Sequence, residues 1–353
     1  MKNNISRNPF TLIFGQKPLQ YISRIKQSNE IIDNMIEDFC AVNMITGVRG
    51  SGKTVMMTSI MQRMSEYDNW ITMELNPQRD LLQGFAAKLY DEPNIQKLFI
   101  KSKINLTAFG IGVEIENTAP ISDIEIALER MLDQVKKAGK KILIAIDEVT
   151  NSENARIFIS AYQIFLRQNY PICLLMTGLY DNIYNLQNDK SMTFLYRAPK
   201  ILLEPLNFTS VREQYRQIFN ISEEEASRMA YTTKGFSFAF QVLGYLYWEN
   251  RNDMTLEQLM PKYDQYLAEY VYDKIWSELS ETDKKIISAL SSTSGEIQVK
   301  DLRAKLDNMS PEKFSVYRER LKRKGLINVS SYGKLSLSLP RFEEYTKNRM
   351  YEW

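Results

Sequence analysis

The most specific chemical signal in the sequence is a glycine-rich segment that ends in a lysine and a hydroxyl residue, Gly47-Val48-Arg49-Gly50-Ser51-Gly52-Lys53-Thr54. It matches the pattern G-x-x-x-x-G-K-[ST], in which glycines allow backbone N–H groups to close around phosphate oxygens. Lys53 is expected to contact the β- and γ-phosphates of a nucleoside triphosphate, and the Thr54 hydroxyl is expected to hold Mg²⁺. Because a helix is predicted to begin here, with Val55 in its first turn, its positive dipole end would face the same anion.

A second signal is a pair of acids that follows the apolar run from Lys141 to Ile146. Asp147 lies where a carboxylate could join the coordination shell of Mg²⁺, and Glu148 lies where one could polarise an attacking water. A solvated strand end is the alternative. The catalytic interpretation is favoured because the phosphate-binding pattern precedes this strand with the spacing of β–α units.

Two further polar residues fall at the ends of neighbouring segments. Thr177 ends the next apolar run, so its hydroxyl could orient the water or contact the γ-phosphate, and capping of the turn at Gly178 is an equal alternative. Arg197 precedes the last predicted strand, where an arginine can reach a phosphate in its own or a neighbouring subunit. A surface arginine paired with an acid is the other interpretation of Arg197.

Short apolar runs alternating with helical patterns position these residues. Strands are predicted over 40–46, 70–75, 141–146, 171–178 and 201–203. This alternation predicts an α/β fold with a parallel sheet whose strand ends share one crevice. The segment 103–116 holds two glycines among β-prone residues and predicts a hairpin insertion, and Ser122 is expected to cap the helix that follows it.

The last part of the chain has a different pattern, because strands stop after residue 207. Four helices are predicted between residues 210 and 275, followed by three helices, a strand, a turn and a strand in the layout of a winged helix. Cations crowd the third of these last helices: Lys313, Arg318, Arg320, Lys322, Arg323 and Lys324. They predict contact with double-stranded DNA, and a winged helix that uses a solvated basic face to bind protein is the alternative.

Composition narrows the function classes further. The 353 residues include no histidine, which excludes histidine acid–base chemistry, Ser-His-Asp triads and nearly every zinc site. The formal net charge of +2 does not by itself indicate nucleic acid. Cys40 and Cys173 fall in predicted buried strands, as core residues of a protein in a reducing compartment. No apolar run approaches the length of a membrane span, so we expect a cytoplasmic protein.

Together these motifs resemble those of the prokaryotic AAA+ ATPases, closest to the branch of origin-recognition initiators and STAND-type signalling NTPases. The resemblance rests on four segments: Asn8-Pro9-Phe10 with Phe14-Gly15, the loop at 46–54, Ile146-Asp147-Glu148, and Leu203-Glu204-Pro205-Leu206. It implies a P-loop ATPase core with an N-terminal arm over residues 1–207. A helical lid over 208–277 and a winged-helix domain over 278–353 would follow.

The resemblance also implies roles for individual residues. Lys53 and Thr54 correspond to Walker A, and Asp147 and Glu148 correspond to Walker B. Thr177 falls at the sensor 1 position, and Arg197 falls where such proteins place an arginine finger or a nucleotide-sensing arginine. The lid segment 234–239 has no arginine where initiators carry sensor 2, and Lys234 is the cation that could substitute for it.

These observations predict an ATP-binding, Mg²⁺-dependent ATPase that hydrolyses slowly and acts as a nucleotide-driven switch, associated with DNA through its winged helix. The alternative is a STAND-like regulatory NTPase whose winged helix binds protein. Phe14, Gly15 and Pro18 either form an apolar wall for the purine base or simply pack the arm on the core. Assembly into a homo-oligomer is left open.

Overall fold

The structure is a computed structural model, and it describes residues 7–13, 18–37, 42–293, 295–330 and 332–350. The chain divides into two compact units. The sheet unit comprises Arg24–Thr46 and Lys53–Leu202. The helical unit comprises Met1–Ser23, Gly47–Gly52 and Leu203–Trp353. The predicted boundaries at 207 and 277 stay predictions.

The sheet unit is built on five parallel strands, which confirms the expected α/β fold. They pair in the order β2-β3-β4-β1-β5. Their bounds are Val42–Thr46 (β1), Trp70–Leu75 (β2), Lys141–Ile146 (β3), Ile172–Gly178 (β4) and Lys200–Leu202 (β5). Every residue of β1 and β4 is buried, as expected for central strands of a parallel sheet that helices cover on both faces. Cys173 is buried in β4, and Cys40 lies outside the described residues.

Helices surround this sheet: Ile25–Ile36 (α1), Lys53–Met64 (α2), Leu81–Tyr90 (α3), Gln96–Lys101 (α4), Ile124–Lys137 (α5), Glu153–Arg167 (α6) and Tyr180–Gln187 (α7). The sequence patterns did not predict α4 and α7. Asp123, and not Ser122, caps α5, because its carboxylate accepts a hydrogen bond from the N–H of Ile126.

The hairpin predicted over 103–116 is wrong. The segment contains a 3₁₀ turn, Thr107–Phe109, and no strand. Its β-prone residues Ile104, Leu106 and Ile111 are buried in the core of the sheet unit. Gly112 has φ +74°, and a Cβ there would lie 2.5 Å from the Tyr90 ring. Both glycines of the segment therefore serve turns that fold it against the core.

The helical unit begins with helices Phe208–Phe219 (α8), Glu223–Thr233 (α9), Ser237–Asn250 (α10) and Leu256–Leu267 (α11). A π-helical turn, Ala268–Tyr272, joins α11 to Asp273–Ser277 (α12), where the sequence pattern predicts one continuous helix over 256–275. Its last elements are Glu281–Ser291 (α13), Ile297–Gln298 (β6), Val299–Ala304 (α14), Pro311–Arg323 (α15), Ile327–Val329 (β7), Lys334–Leu337 (β8) and Phe342–Met350 (α16). The three strands form an antiparallel sheet in the order β6-β8-β7. β6 and α16 were not predicted.

None of the helices in the described ranges has the length and apolar character that a membrane span requires.

Candidate functional site

Three side chains meet at the carboxyl edge of the parallel sheet. The Thr54 hydroxyl, in the first turn of α2, donates a hydrogen bond to Asp147 Oδ2 at 2.7 Å. The Thr177 hydroxyl, near the end of β4, donates to the other carboxylate oxygen, Oδ1. Because β4 pairs in parallel with β3, the turn that follows β3 lies beside the end of β4. The fold thus brings these three predicted residues together.

Glu148 lies next to this group and has an uncommon backbone conformation. Its φ of 50° falls in the left-handed region, which costs a non-glycine residue about 1–3 kcal/mol. Its N–H donates to Asp147 Oδ1 at 3.0 Å and to Thr177 Oγ1 at 3.3 Å. The following N–H, of Val149, donates to the Thr177 carbonyl at 2.8 Å. These bonds hold the turn after β3 against β4 and leave the Glu148 side chain exposed.

Lys53 is the first residue of α2, and its side chain is largely buried. Val55 follows it as a half-buried residue of the same turn. No acid lies in the first turn of α2, so both the lysine charge and the helix dipole favour an anion at this end of the helix.

The glycine-rich residues that precede Lys53 belong to the helical unit. Gly50 and Gly52 have φ values of +79° and +90°, which favour glycine. A Cβ on Gly50 would lie 2.8 Å from the Phe236 ring, so only glycine fits there. Before it in the loop, Arg49 pairs with Glu278 at 3.4 Å, and Gly47 is buried.

The first turn of α10 holds the carbonyl groups of this loop. The Ser237 hydroxyl donates to the Ser51 carbonyl at 2.9 Å, and the Phe238 N–H donates to the Gly50 carbonyl at 3.1 Å. No sequence pattern indicated this role for Ser237 or Phe238. The one indication in the sequence was that the segment 234–239 lacks the sensor 2 arginine that the resemblance implies, so α10 would have to contact the nucleotide site in another way.

Arg197 stands apart from the Thr54–Asp147–Thr177 group. It ends the 3₁₀ turn Thr193–Arg197 before β5, and its side chain is exposed. Over the ranges that the structure describes, the Arg197 side chain makes no hydrogen bond or ion pair. The expected alternative, a surface ion pair with an acid, is therefore not found in those ranges.

Lys234, the cation at the expected sensor 2 segment, contacts β8, the turn after it and α16. Its ammonium group lies 3.3 Å from the carbonyls of Leu337 and Leu339 and pairs with Glu343 at 3.0 Å. All these residues belong to the helical unit. Lys234 therefore links α9 to β8 and α16.

The N-terminal arm packs inside the helical unit. Phe10 is 3% exposed and stacks among Tyr215, Phe219 and Phe240. A Cβ on Gly244 would lie 2.4 Å from the Phe10 ring, so this glycine admits the arm. Of the residues proposed to line a base pocket, Phe14 and Gly15 lie outside the described residues, and Pro18 is half-buried.

The basic helix α15 does not present all its cations outward, contrary to expectation. The Arg320 guanidinium donates to Asp283 and, at 2.9 Å, to the Ser280 hydroxyl. Because Asp283 is only 1% exposed, its charge needs this partner. Arg320 therefore fastens α15 to α13.

A family model described as an ATPase domain predominantly from Archaea matches residues 23–229, and a model described as a domain of unknown function matches residues 269–346. A Walker-type ATPase of Pyrococcus abyssi has a similar structure, with a TM-score of 0.67 at 14% identity over 96% of this chain and 99% of that one. The Aeropyrum pernix ORC2 protein, in its ADPNP–ADP complexes, gives a TM-score of 0.59 at 14% identity over 96% and 97% of the two chains. No curated protein matches the chain.

Proposed function

The chain belongs to the family of ATPase domains that occur predominantly in Archaea, and we propose that it binds ATP with Mg²⁺ and hydrolyses it slowly to drive a conformational switch. The observation that carries this proposal is the hydrogen-bonded group formed by Thr54, Asp147 and Thr177. Thr54 directly follows the buried Lys53 at the start of α2.

The residues fit Mg²⁺ by their chemistry. A carboxylate and a hydroxyl are hard oxygen ligands, which Mg²⁺ prefers, and Mg²⁺ usually takes one or two protein ligands together with substrate phosphates. No cluster of three or more His, Cys, Asp or Glu side chains that could hold a metal alone is present in the described ranges. Thr54 and Asp147 would therefore hold the ion, whose charge would neutralise the phosphate oxygens.

The remaining residues of the site have separate tasks in this proposal. Lys53 would bind the β- and γ-phosphates. The exposed Glu148 carboxylate would accept a proton from the attacking water. The hydrogen bonds from the Glu148 N–H to Asp147 and Thr177 would fix the backbone from which this side chain extends. Arg197, exposed and without a bonding partner over the described ranges, would counter phosphate charge in its own site or that of a second copy.

Phosphate release and calorimetric titration with Mg-ATP test these assignments. Glu148→Gln should lower the hydrolysis rate roughly 10²-fold or more while ATP binding persists, since it removes the proton acceptor alone. Lys53→Ala should abolish binding. Glu114→Gln, a change at an exposed acid outside this group, is the matched control and should behave as wild type.

Two results would contradict the proposal. If Glu148→Gln and wild type release phosphate at the same rate, Glu148 is not the base. If folded wild type gives no heat with Mg-ATP, the nucleotide assignment fails as a whole.

We further propose that α13 to β8 form a winged helix that contacts double-stranded DNA through α15. The three helices and the antiparallel sheet β6-β8-β7 support this proposal. Lys313 and Lys322 are exposed and Arg318 is half-buried, so these cations could neutralise phosphates. The described turn residue Tyr332, 83% exposed between β7 and β8, would lie at the tip of the wing.

A protein partner for the same helix is the alternative, and specific residues favour it. Val316 is 68% exposed near the middle of α15. Glu312 is exposed on the same helix, and Glu319 neutralises Arg323 at 2.7 Å. An exposed apolar residue between carboxylates suits a protein surface better than a phosphate backbone.

Duplex-DNA affinity across a salt series separates the two partners. DNA binding through phosphates requires a steep linear fall of log K with log salt, and Lys322→Ala should reduce the slope by about 1. Binding that is flat with salt, or absent, would reject the DNA proposal and leave the protein partner.

A further inference from the structure

The first turn of α10 donates hydrogen bonds to one side of the glycine-rich loop. The Ser237 hydroxyl donates to the Ser51 carbonyl at 2.9 Å, and the Phe238 N–H donates to the Gly50 carbonyl at 3.1 Å. Both contacts lie within the helical unit, and both use carbonyl oxygens of the loop. The N–H groups are the part of such a loop that binds phosphate.

The geometry of the peptide group relates the direction of a loop carbonyl to the direction of the next N–H. A trans peptide is planar, and its C=O and N–H bonds point in nearly opposite directions. The Ser51 carbonyl shares one peptide plane with the N–H of Gly52, and the described residues contain no cis peptide bonds. By binding that carbonyl, the Ser237 hydroxyl therefore makes the Gly52 N–H point away from α10.

The orientation of this peptide is not fixed by the loop itself. Gly52 has φ +90° and no side chain, so its own backbone allows the Ser51–Gly52 peptide either orientation. In the opposite orientation a carbonyl oxygen would replace the N–H and repel a phosphate. The hydrogen bond from Ser237 selects between the two states.

We propose that Ser237 is a positioning residue for nucleotide binding: its hydroxyl orients the Ser51–Gly52 peptide so that the Gly52 N–H can donate to a phosphate oxygen. This inference rests on the proposed function of the loop. It gives α10 a means of acting on bound phosphate that needs no cation. Lys234, which precedes this turn in the sequence, is bound to the carbonyls of Leu337 and Leu339.

The test compares two substitutions of nearly the same shape, Ser237→Thr and Ser237→Val, by calorimetric titration with Mg-ATP. Threonine keeps the hydroxyl and valine lacks it. One net hydrogen bond changes an equilibrium by a factor of about 5, so Ser237→Val should bind Mg-ATP roughly 5-fold more weakly. Ser237→Thr should stay within about twofold of wild type. Ser315→Ala, at an exposed serine of α15, controls for handling.

Thermal unfolding without nucleotide checks that each variant folds, and Ser237→Ala replaces the valine variant if that one does not fold. Equal affinity of the threonine and hydroxyl-free variants would overturn the inference. A failure of the proposed function is a different result, in which wild type and Lys53→Ala both give no heat with Mg-ATP.

Discussion

Substitution of Thr177 by valine tests the hydrogen-bonded group at the sheet edge most directly. Thr177 is fully buried, and its hydroxyl donates to Asp147 and accepts from the N–H of Glu148 at 3.3 Å. Valine has nearly the same shape, so the change removes these bonds without opening a cavity. Thr177→Ser keeps the hydroxyl and serves as the control.

The expected loss of stability follows from the kind of acceptor. A hydrogen bond to a charged group contributes about 1.5–3 kcal/mol. Asp147 retains donors from Thr54 and from its neighbour's N–H, and it is partly exposed, so water can replace the lost donor. We therefore expect a loss of about 1–2 kcal/mol. Activity should fall roughly 10- to 100-fold, because the turn that carries Glu148 loses one of its anchors.

Hydrogen exchange of the β3 and β4 amides measures this stability within the sheet unit, without assuming that the two units unfold together. Phosphate release on the same samples reports activity. If Thr177→Val retains wild-type protection and wild-type turnover, the hydroxyl does not organise the turn. Thr177→Ser loses a buried methyl group and keeps the hydroxyl, so it should retain wild-type turnover, and an equal loss of turnover in Thr177→Ser would contradict the role of the hydroxyl.

Two further changes probe other parts of the chain. Lys234→Met should lower the stability of the helical unit by about 1 kcal/mol, since exposed ion pairs and single hydrogen bonds contribute little more. It should leave Mg-ATP affinity unchanged, and an affinity loss above tenfold would return Lys234 to a nucleotide-sensing role. Burial, followed by the charge of Asp133, raises the pKa of Tyr170 from 10.0 to about 12. Because folding favours the neutral phenol, the free energy of unfolding should fall as pH rises from 10 to 12, and urea titrations should show a smaller fall in Tyr170→Phe.

The parallel sheet was predictable because its signal is local. Strands buried on both faces read as continuous apolar runs, and β2 and β3 begin and end where the sequence placed them. The phosphate-binding pattern marks the start of α2 with equal clarity. The strand ends of such a sheet share one crevice, so Asp147 and Thr177 could be expected near Thr54 from the sequence.

The errors arose where packing at long range decides the local structure. Residues 103–116 have β propensity, yet Ile104, Leu106 and Ile111 reach the core from turns. A sequence pattern cannot indicate that the Tyr90 ring occupies the space beside Gly112. Arg320 looked like its basic neighbours because its buried partner, Asp283, lies 37 residues earlier in the chain.

Ser237 could not be recognised for a related reason, since a serine in the first turn of a helix is usually a cap. Its hydroxyl instead reaches the Ser51 carbonyl, 186 residues away in sequence. If Ser237 orients the loop as proposed, α10 donates to the carbonyl groups of the loop peptides and the phosphate accepts from their N–H groups. A ligand shifts a conformational equilibrium only by its differential affinity for the two states. The bonds to the Ser51 and Gly50 carbonyls would supply a difference of about 1–2 kcal/mol, equivalent to a factor of roughly 5–30. That coupling is large enough for nucleotide binding to favour one position of α10.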